Sequence, residues 1–454
     1  MEFRDILKNL PEVKGPVEKR LSFNTKLKWT LVVLVLFFVM ENIALYGLEK
    51  NSLERFEYLA IIMGTSFGSI ISLGIGPIVM ASIILQLLVG SKILEIDTTT
   101  TEGKKFFQGL QKLLVFFFII FEAIIYVVMK GLQAVPGYEG VLIFQLTLGG
   151  LAILFMDEIC QKWGFGSGVS LFIAAGVGWR LIVALFGFLG PEGNYQATGA
   201  VIAFFDSLIN GNSAGALIAL SAIIVTAALF LIVVWAQSLK IEIPLSYDRI
   251  RGHSMKWPLQ FFYASVIPVI LTAALIANLQ LFAGLLQNWL GHATFLGNME
   301  QGQATAGLLH WVSPINIREL ILEGGWKWTM IFQVLGHVSF YMFFAALFSV
   351  FWVKTSGMDS STQAQNILNS GLQIPGFRKD RRILESILDR YIMPLTIMGG
   401  MAIGLLASIA DILGTLVAGT ALLLGIMITF QLYQNIAQQH AIDMNPALKK
   451  MMGV

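Results

Sequence analysis

The sequence predicts an all-α integral membrane protein of about ten transmembrane helices. Three observations carry that prediction. Of its 454 residues, 56% are hydrophobic and only 13% charged, whereas an ordinary soluble domain has roughly 45–50% apolar and about 25% charged residues. Apolar runs long enough to cross a bilayer recur along the whole chain. The Lys and Arg residues gather in alternate connections between those runs.

The first 28 residues hold Pro11, Pro16 and seven Lys or Arg, and no apolar core of the length a cleavable signal needs. They are expected to stay outside the membrane. A bilayer core of roughly 30 Å takes about 20 mostly apolar residues per helix. Runs of that kind stand near 29–48, 74–90, 110–132, 141–160, 167–188, 214–237, 259–281, 329–353, 392–413 and 417–437. The third, sixth and eighth are the clearest.

Cytoplasmic loops retain Lys and Arg. With the N-terminus inside, the tail to Lys28, the connections 91–113, 161–166, 238–258 and 354–391 and the C-terminal tail hold 24 of the 30 basic residues. The exceptions are Lys50, Arg55, Lys130, Arg180, Arg318 and Lys327. Both termini are therefore expected in the cytoplasm. Two sets of five spans enter the membrane in opposite senses, which is compatible with an inverted repeat. No clear self-similarity of sequence accompanies it.

Two segments depart from plain spans. Residues 51–90 are too long for one helix and too broken for two. Glu54, Arg55 and Glu57 flank a short apolar run from Tyr58 to Met63, and two glycine-rich breaks come after it, Gly64-Thr65-Ser66-Phe67-Gly68 and Gly74-Ile75-Gly76-Pro77. Unpaired backbone is costly in lipid, so such breaks should face protein or water. A half-helix in a central funnel and a packed external re-entrant loop both fit. The connection 354–391 is the second departure. Met358-Asp359-Ser360-Ser361-Thr362 offers helix N-caps, and Arg378, Lys379, Arg381 and Arg382 fall within five positions, which suggests a docking surface.

Several motifs have bland readings. Gly64-Thr65-Ser66-Phe67-Gly68 satisfies the nucleophile-elbow pattern, but that chemistry needs a strand-to-helix turn with a His and an acid in reach. No strand is expected before it, and of five histidines only His337 lies within a span. Glycines four apart, Gly64/Gly68 and Gly400/Gly404, ease helix approach. Glu122 sits mid-span, where a charge costs roughly 2.5–3.5 kcal/mol on insertion scales; a polar contact between helices and an ion or proton site are both open. Glu41, Asp157, Glu158 and Asp411 stand nearer span ends, from where they are expected to reach the interface. The basic loop 238–258, with Lys240, Arg249, Arg251 and Lys256, suits either phosphate-rich RNA or anionic lipid. A lone cysteine, Cys160, excludes an internal disulfide. No nucleotide-binding loop or metal-ligand cluster is visible, so no catalytic residue, cofactor or metal is expected.

Longer stretches resemble the SecY family of Sec translocon channels, on its archaeal branch. These are Leu73-Gly74-Ile75-Gly76-Pro77-Ile78-Val79 with Gln86-Leu87-Leu88, Phe107-Gln108-Gly109 with Gln111-Lys112-Leu113-Leu114, Gly164-Phe165-Gly166-Ser167-Gly168, Ile267-Pro268-Val269-Ile270 and Gly376-Phe377-Arg378. The resemblance spans essentially the whole chain. It implies two inverted five-helix halves around a central pore, divided as 29–190 and 191–437 between cytoplasmic segments 1–28 and 438–454.

The resemblance further implies a passive protein-conducting channel in the plasma membrane that passes secretory polypeptides and releases transmembrane segments sideways into lipid. Its constriction would be Ile75, Val79, Val169, Ile173, Ile270 and Leu424. Its plug would be 56–66, with Phe56, Tyr58, Ile61, Ile62, Gly64 and Ser66. The lateral gate would open between the second and third spans and the seventh and eighth, bridged by Glu122, Asn278 and Gln86; Met80 stands where a further polar residue is expected. Arg249, Arg251, Arg378 and Lys379 would dock the ribosome and its RNA, and SecE and a single-span beta subunit would be partners. Signal sequences and nascent chains would be the passengers. The rival from a different class is a secondary transporter of a small solute, which would need polar groups converging at mid-membrane.

Overall fold

The computed structural model describes residues 10–18, 21–49, 68–91, 93–96, 100–129, 131–188, 197–247, 254–264, 266–300, 303–322, 325, 327–369, 372–373 and 380–444. Among them, nine helices are long and apolar enough to cross a membrane. The first, α1 (Phe23–Glu41), starts where the Ser22 hydroxyl accepts from the Thr25 amide. It ends seven residues before its apolar run does, because the chain turns at Asn42 and pairs Leu45 with Gly68 and Ile70 with Ile43.

The described part of the interrupted segment starts at Gly68. Residues 69–75 form a largely buried series of turns, with positive φ at Gly68 and Gly74. Protein satisfies its backbone: the Gly68 amide donates to Ser72 Oγ at 2.8 Å, which in turn donates to the Ser69 carbonyl at 2.6 Å. The next helix, α2 (Gly76–Gly90), starts with Pro77, whose missing amide costs nothing in a first turn. Its 15 residues span about 22 Å, so α2 begins within the protein.

Then come α3 (Thr101–Val128), α4 (Glu139–Trp163) and α5 (Gly168–Phe186). Thr100 caps α3, and Ser167 caps α5. A short helix, α6 (Ala200–Ile209), precedes α7 (Ser213–Ser238). The seventh apolar run was expected from 259, but its helix, α8 (Ile267–Leu290), starts eight residues later. Residues 259 and 260 end a strand, and 261–264 turn before the helix. α8 is the most enclosed of the long helices, with 78% of its apolar window buried against 11% for α1. The middle of the fold is therefore α8, and α1 is peripheral.

Beyond α8 lie the small helices α9 (Leu308–Val312) and α10 (Ile317–Leu322), then α11 (Met330–Thr355), α12 (Ser360–Asn369), α13 (Arg381–Leu413) and α14 (Gly419–Met444). The expected caps ahead of α12 are present: both Asp359 carboxylate oxygens accept from Thr362. α13 starts eleven residues before its apolar run. Its extension is amphipathic, burying Leu384 and Leu388 beneath Arg381, Arg382, Glu385 and Asp389, and Pro394 stands where the apolar part begins. Gly400 and Gly404 form the seam with α11; a Cβ on Gly404 would lie 2.6 Å from the Tyr341 carbonyl oxygen.

The sequence reading missed five strands. In one sheet, β1 (Lys240–Tyr247) pairs antiparallel with β2 (Ser254–Gln260) and, at Ser246 and Tyr247, with β5 (Leu372–Gln373). The basic connections 238–258 and 354–391 are thus joined. Pro244, opposite Lys256, is tolerated because β5 leaves that stretch of β1 an edge. The sheet, α12 and the α13 extension share an apolar core of Ile243, Leu259, Ile367, Leu384 and Leu388, apart from the large cluster among the long helices. β3 (Asn298–Glu300) and β4 (Gln303–Ala306) form a separate hairpin, tied down by Gln287, which bonds both the amide and the carbonyl of Met299.

Candidate functional site

The six residues expected at a constriction come from four helices, always near the N-terminal end. Ile75 immediately precedes α2 and Val79 is in its first turn; Val169 and Ile173 open α5; Ile270 opens α8; Leu424 lies in the second turn of α14. α2 packs on α8, α8 on α14, and α14 on α5. Five of the six are 3–7% exposed, and Val169 packs against them from a half-buried position. All six belong to one apolar cluster. Gly425 permits the α5–α14 approach, since a Cβ there would lie 2.8 Å from Val177 Cγ1.

The three polar gate residues are all buried, on α2 (Gln86), α3 (Glu122) and α8 (Asn278). α2 packs against α3 on one side and against α8 and α11 on the other, so the expected seam runs along α2. Each of the three keeps an oxygen without a hydrogen-bond partner among the described residues: Gln86 Oε1, Asn278 Oδ1 and both carboxyl oxygens of Glu122. Asn278 Nδ2 donates to the Ala274 carbonyl at 2.8 Å. Met80, on α2, is half-buried. The plug residues Phe56, Tyr58, Ile61, Ile62, Gly64 and Ser66, and the basic residues Arg249, Arg251, Arg378 and Lys379, lie outside the described residues.

Three of the acids near span ends turn inward. Asp157 and Asp411 were expected to reach the interface, yet Asp157 is buried and the Asp411 side chain is only 6% exposed, both turned inward. Asp157 Oδ1 accepts from the Val169 amide at 3.0 Å, and Oδ2 from Gln161 at 2.7 Å. Asp411 Oδ1 accepts from the Thr420 amide at 2.6 Å, and Oδ2 from the Thr420 hydroxyl. Each acid thus caps the helix that comes after its own. The visible signal was an Asp shortly before a glycine-bounded turn in both places. Glu158 also turns inward, to an ion pair with Lys112 and the Val13 amide.

A cavity of about 1140 Å³ opens where α3 starts and α4 ends, with Gln108, Gln111, Glu158 and Lys162 in its wall. No group of three or more His, Cys, Asp or Glu among the described residues is placed to hold a metal ion.

The SecY family profile matches residues 69–433. The protein translocase subunit SecY of Methanothermobacter thermautotrophicus is 44% identical over 459 aligned residues, covering 100% of this chain and 98% of that protein. The chain belongs to the SecY family.

Solved structures agree at the level of fold. One reported as the structure of a protein conducting channel superposes with a TM-score of 0.84 at 37% identity, covering 98% of this chain and 99% of that one. Sec61 in the canine ribosome-channel complex from the endoplasmic reticulum gives 0.81 at 36% identity, again over 98% and 99%. The fold is that of SecY and Sec61 channels, in a multi-pass membrane protein. Within the SecY family the rival transporter reading is not favoured.

Proposed function

We propose that this chain is a passive protein-conducting channel that carries secretory polypeptides across the plasma membrane and releases transmembrane segments sideways into lipid. The observation that supports it is that Ile75, Val79, Val169, Ile173, Ile270 and Leu424, all apolar, stand near the N-terminal ends of four helices that pack in series, α2 on α8, α8 on α14 and α14 on α5. An apolar waist excludes ions at rest by dewetting and offers a passing peptide nothing to bind. Such a waist suits polypeptides of any sequence. A solute transporter would instead need polar groups gathered there.

The remaining assignments rest on the same reading. α2 is the second of ten spans, short because it begins inside the protein. The halves are 29–190 and 191–437, both termini are cytoplasmic, and residues 56–66 form the plug. The gate opens along α2 and α3 against α8 and α11. There a signal sequence of ten Leu-like residues gains roughly 3–6 kcal/mol from lipid. Arg249, Arg251, Arg378 and Lys379 dock the ribosome through phosphate contacts, supported by the sheet that joins their two connections. SecE and a single-span beta subunit complete the complex, and the driving force comes from such partners, with no catalysis by this chain.

The test is reconstitution of the chain with these partners into liposomes, programmed with ribosomes making a secretory precursor. The precursor should become protease-protected, while a cytosolic protein of the same length stays digestible. Equal digestion of both, with ribosomes bound, would contradict the proposal.

A further inference from the structure

The corners between α4 and α5 and between α13 and α14 are built on one residue pattern, although no sequence likeness announces it. At the first, the Phe165 amide donates to Thr30 Oγ1 of α1 at 3.3 Å, and the Thr30 hydroxyl donates to the carbonyl four residues back, Lys26. At the second, the Leu416 amide donates to Thr226 Oγ1 of α7 at 3.1 Å, and the Thr226 hydroxyl donates to the carbonyl four residues back, Ala222.

Three residues after each of those amides stands a glycine that opens the next helix. A Cβ on Gly168 would lie 2.6 Å from Asp157 Cα, and one on Gly419 would lie 2.3 Å from the Asp411 amide nitrogen. One residue further, the Val169 and Thr420 amides donate to Asp157 and Asp411. Four residues further stand Ile173 and Leu424. The offset between the two series is constant: 165 to 416, 168 to 419, 169 to 420 and 173 to 424.

We propose that Asp157 and Asp411, each with its threonine and glycine, are positioning residues that fix the height and rotation of α5 and α14 and so place Ile173 and Leu424 in the constriction. The proposal rests on the channel reading above for what the constriction does, but the joint itself is geometric. A helix start held at three points (a turn amide, a backbone contact and a capped amide) cannot slide or turn without breaking at least one. Buried unpaired amides are costly, so the held position is strongly preferred. The partners differ around the shared core. Asp157 is also reached by Gln161 and Ser167, whereas Asp411 faces His337 Nε2 at 3.7 Å, and Tyr341 meets the Thr420 hydroxyl at 3.2 Å.

The experiment reads labelling by a membrane-impermeant thiol reagent in native membranes, in a Cys160→Ala background carrying Ile173→Cys or Leu424→Cys. Asp157→Ala should raise labelling at position 173 several-fold and leave 424 unchanged; Asp411→Ala should do the reverse. Asn at either acid keeps the accepting oxygen and should restore the low level. Should alanine impair assembly, Thr30→Val and Thr226→Val remove the turn-amide acceptor more gently and should show the same selectivity. Unchanged labelling, or an equal rise at both positions, would overturn the proposal, as would Asn behaving like Ala. Protein translocation measured in parallel reads the channel assignment separately, because the labelling pattern does not depend on it.

Discussion

Glu122 shows how a buried group can be kept where it weakens the fold. Its carboxyl has no donor among the described residues, and an unsatisfied buried polar group costs about 1–3 kcal/mol. Glu122→Leu should therefore raise the thermal unfolding midpoint of the detergent-solubilised channel. Glu122→Lys should lower it, at a cost of roughly 2.5–3.5 kcal/mol for a cation in that span. Buried, unpartnered oxygens on Gln86, Glu122 and Asn278 fit the proposal that these helices part at a gate. Gly149 is the opposite case. A Cβ there would lie 1.9 Å from the Ile70 carbonyl oxygen, so Gly149→Val should destabilise by about 1–3 kcal/mol, read in the same melting experiment. Glu122 was legible as a mid-span charge. The contact at Gly149 was not, because it depends on a backbone turn distant in sequence.

Among the elements, apolar length located the long helices, and the misses have physical causes. α13 outran its apolar run because Leu384 and Leu388 pack on a second apolar core, apart from the large cluster among the long helices, which apolar length alone does not reveal. β1 was legible in principle: Ile241, Ile243, Leu245 and Tyr247 alternate with Lys240, Glu242, Pro244 and Ser246, a period-two pattern overlooked beside the charges. Its core contact makes a prediction. Ile243→Asn should weaken ribosome co-sedimentation several-fold while the melting midpoint of the long helices changes little, and the loss should be steeper at higher salt. The N-terminal residues 12–14, which hydrogen-bond to Glu158, Lys162 and Trp163 of α4, make another. Glu12 pairs with Lys162, whose hydrogen bond holds the Glu12 carboxyl below its ordinary range. A carboxyl lowered on folding stabilises above its ordinary pKa, and that contribution fades as the pH falls through the folded value. Protease cleavage between residues 10 and 18 should accordingly quicken below the ordinary carboxylate range and not at alkaline pH. Glu12→Gln should abolish that pH dependence.

At the scale of the molecule, the six residues proposed for the constriction stand near the N-terminal ends of four helices, and two of these helices, α5 and α14, are held there by a capping Asp and a close glycine contact. Parity alone allowed two opposed halves. The corners at Phe165–Ile173 and Leu416–Leu424 repeat one arrangement of bonds on the same Thr, Asp and Gly, while the residues between them differ and carry no visible likeness. What repeats is a set of backbone amides and their acceptors. The proposed constriction rests on family motifs, since apolar residues fill every span. The measurement that tests it most directly is photocrosslinking from probes at Val79 and Ile270 to a stalled secretory nascent chain, with a cytosolic nascent chain as control. Crosslinks from both positions to the secretory chain alone are predicted; silence at both, with ribosomes still bound, would contradict the account.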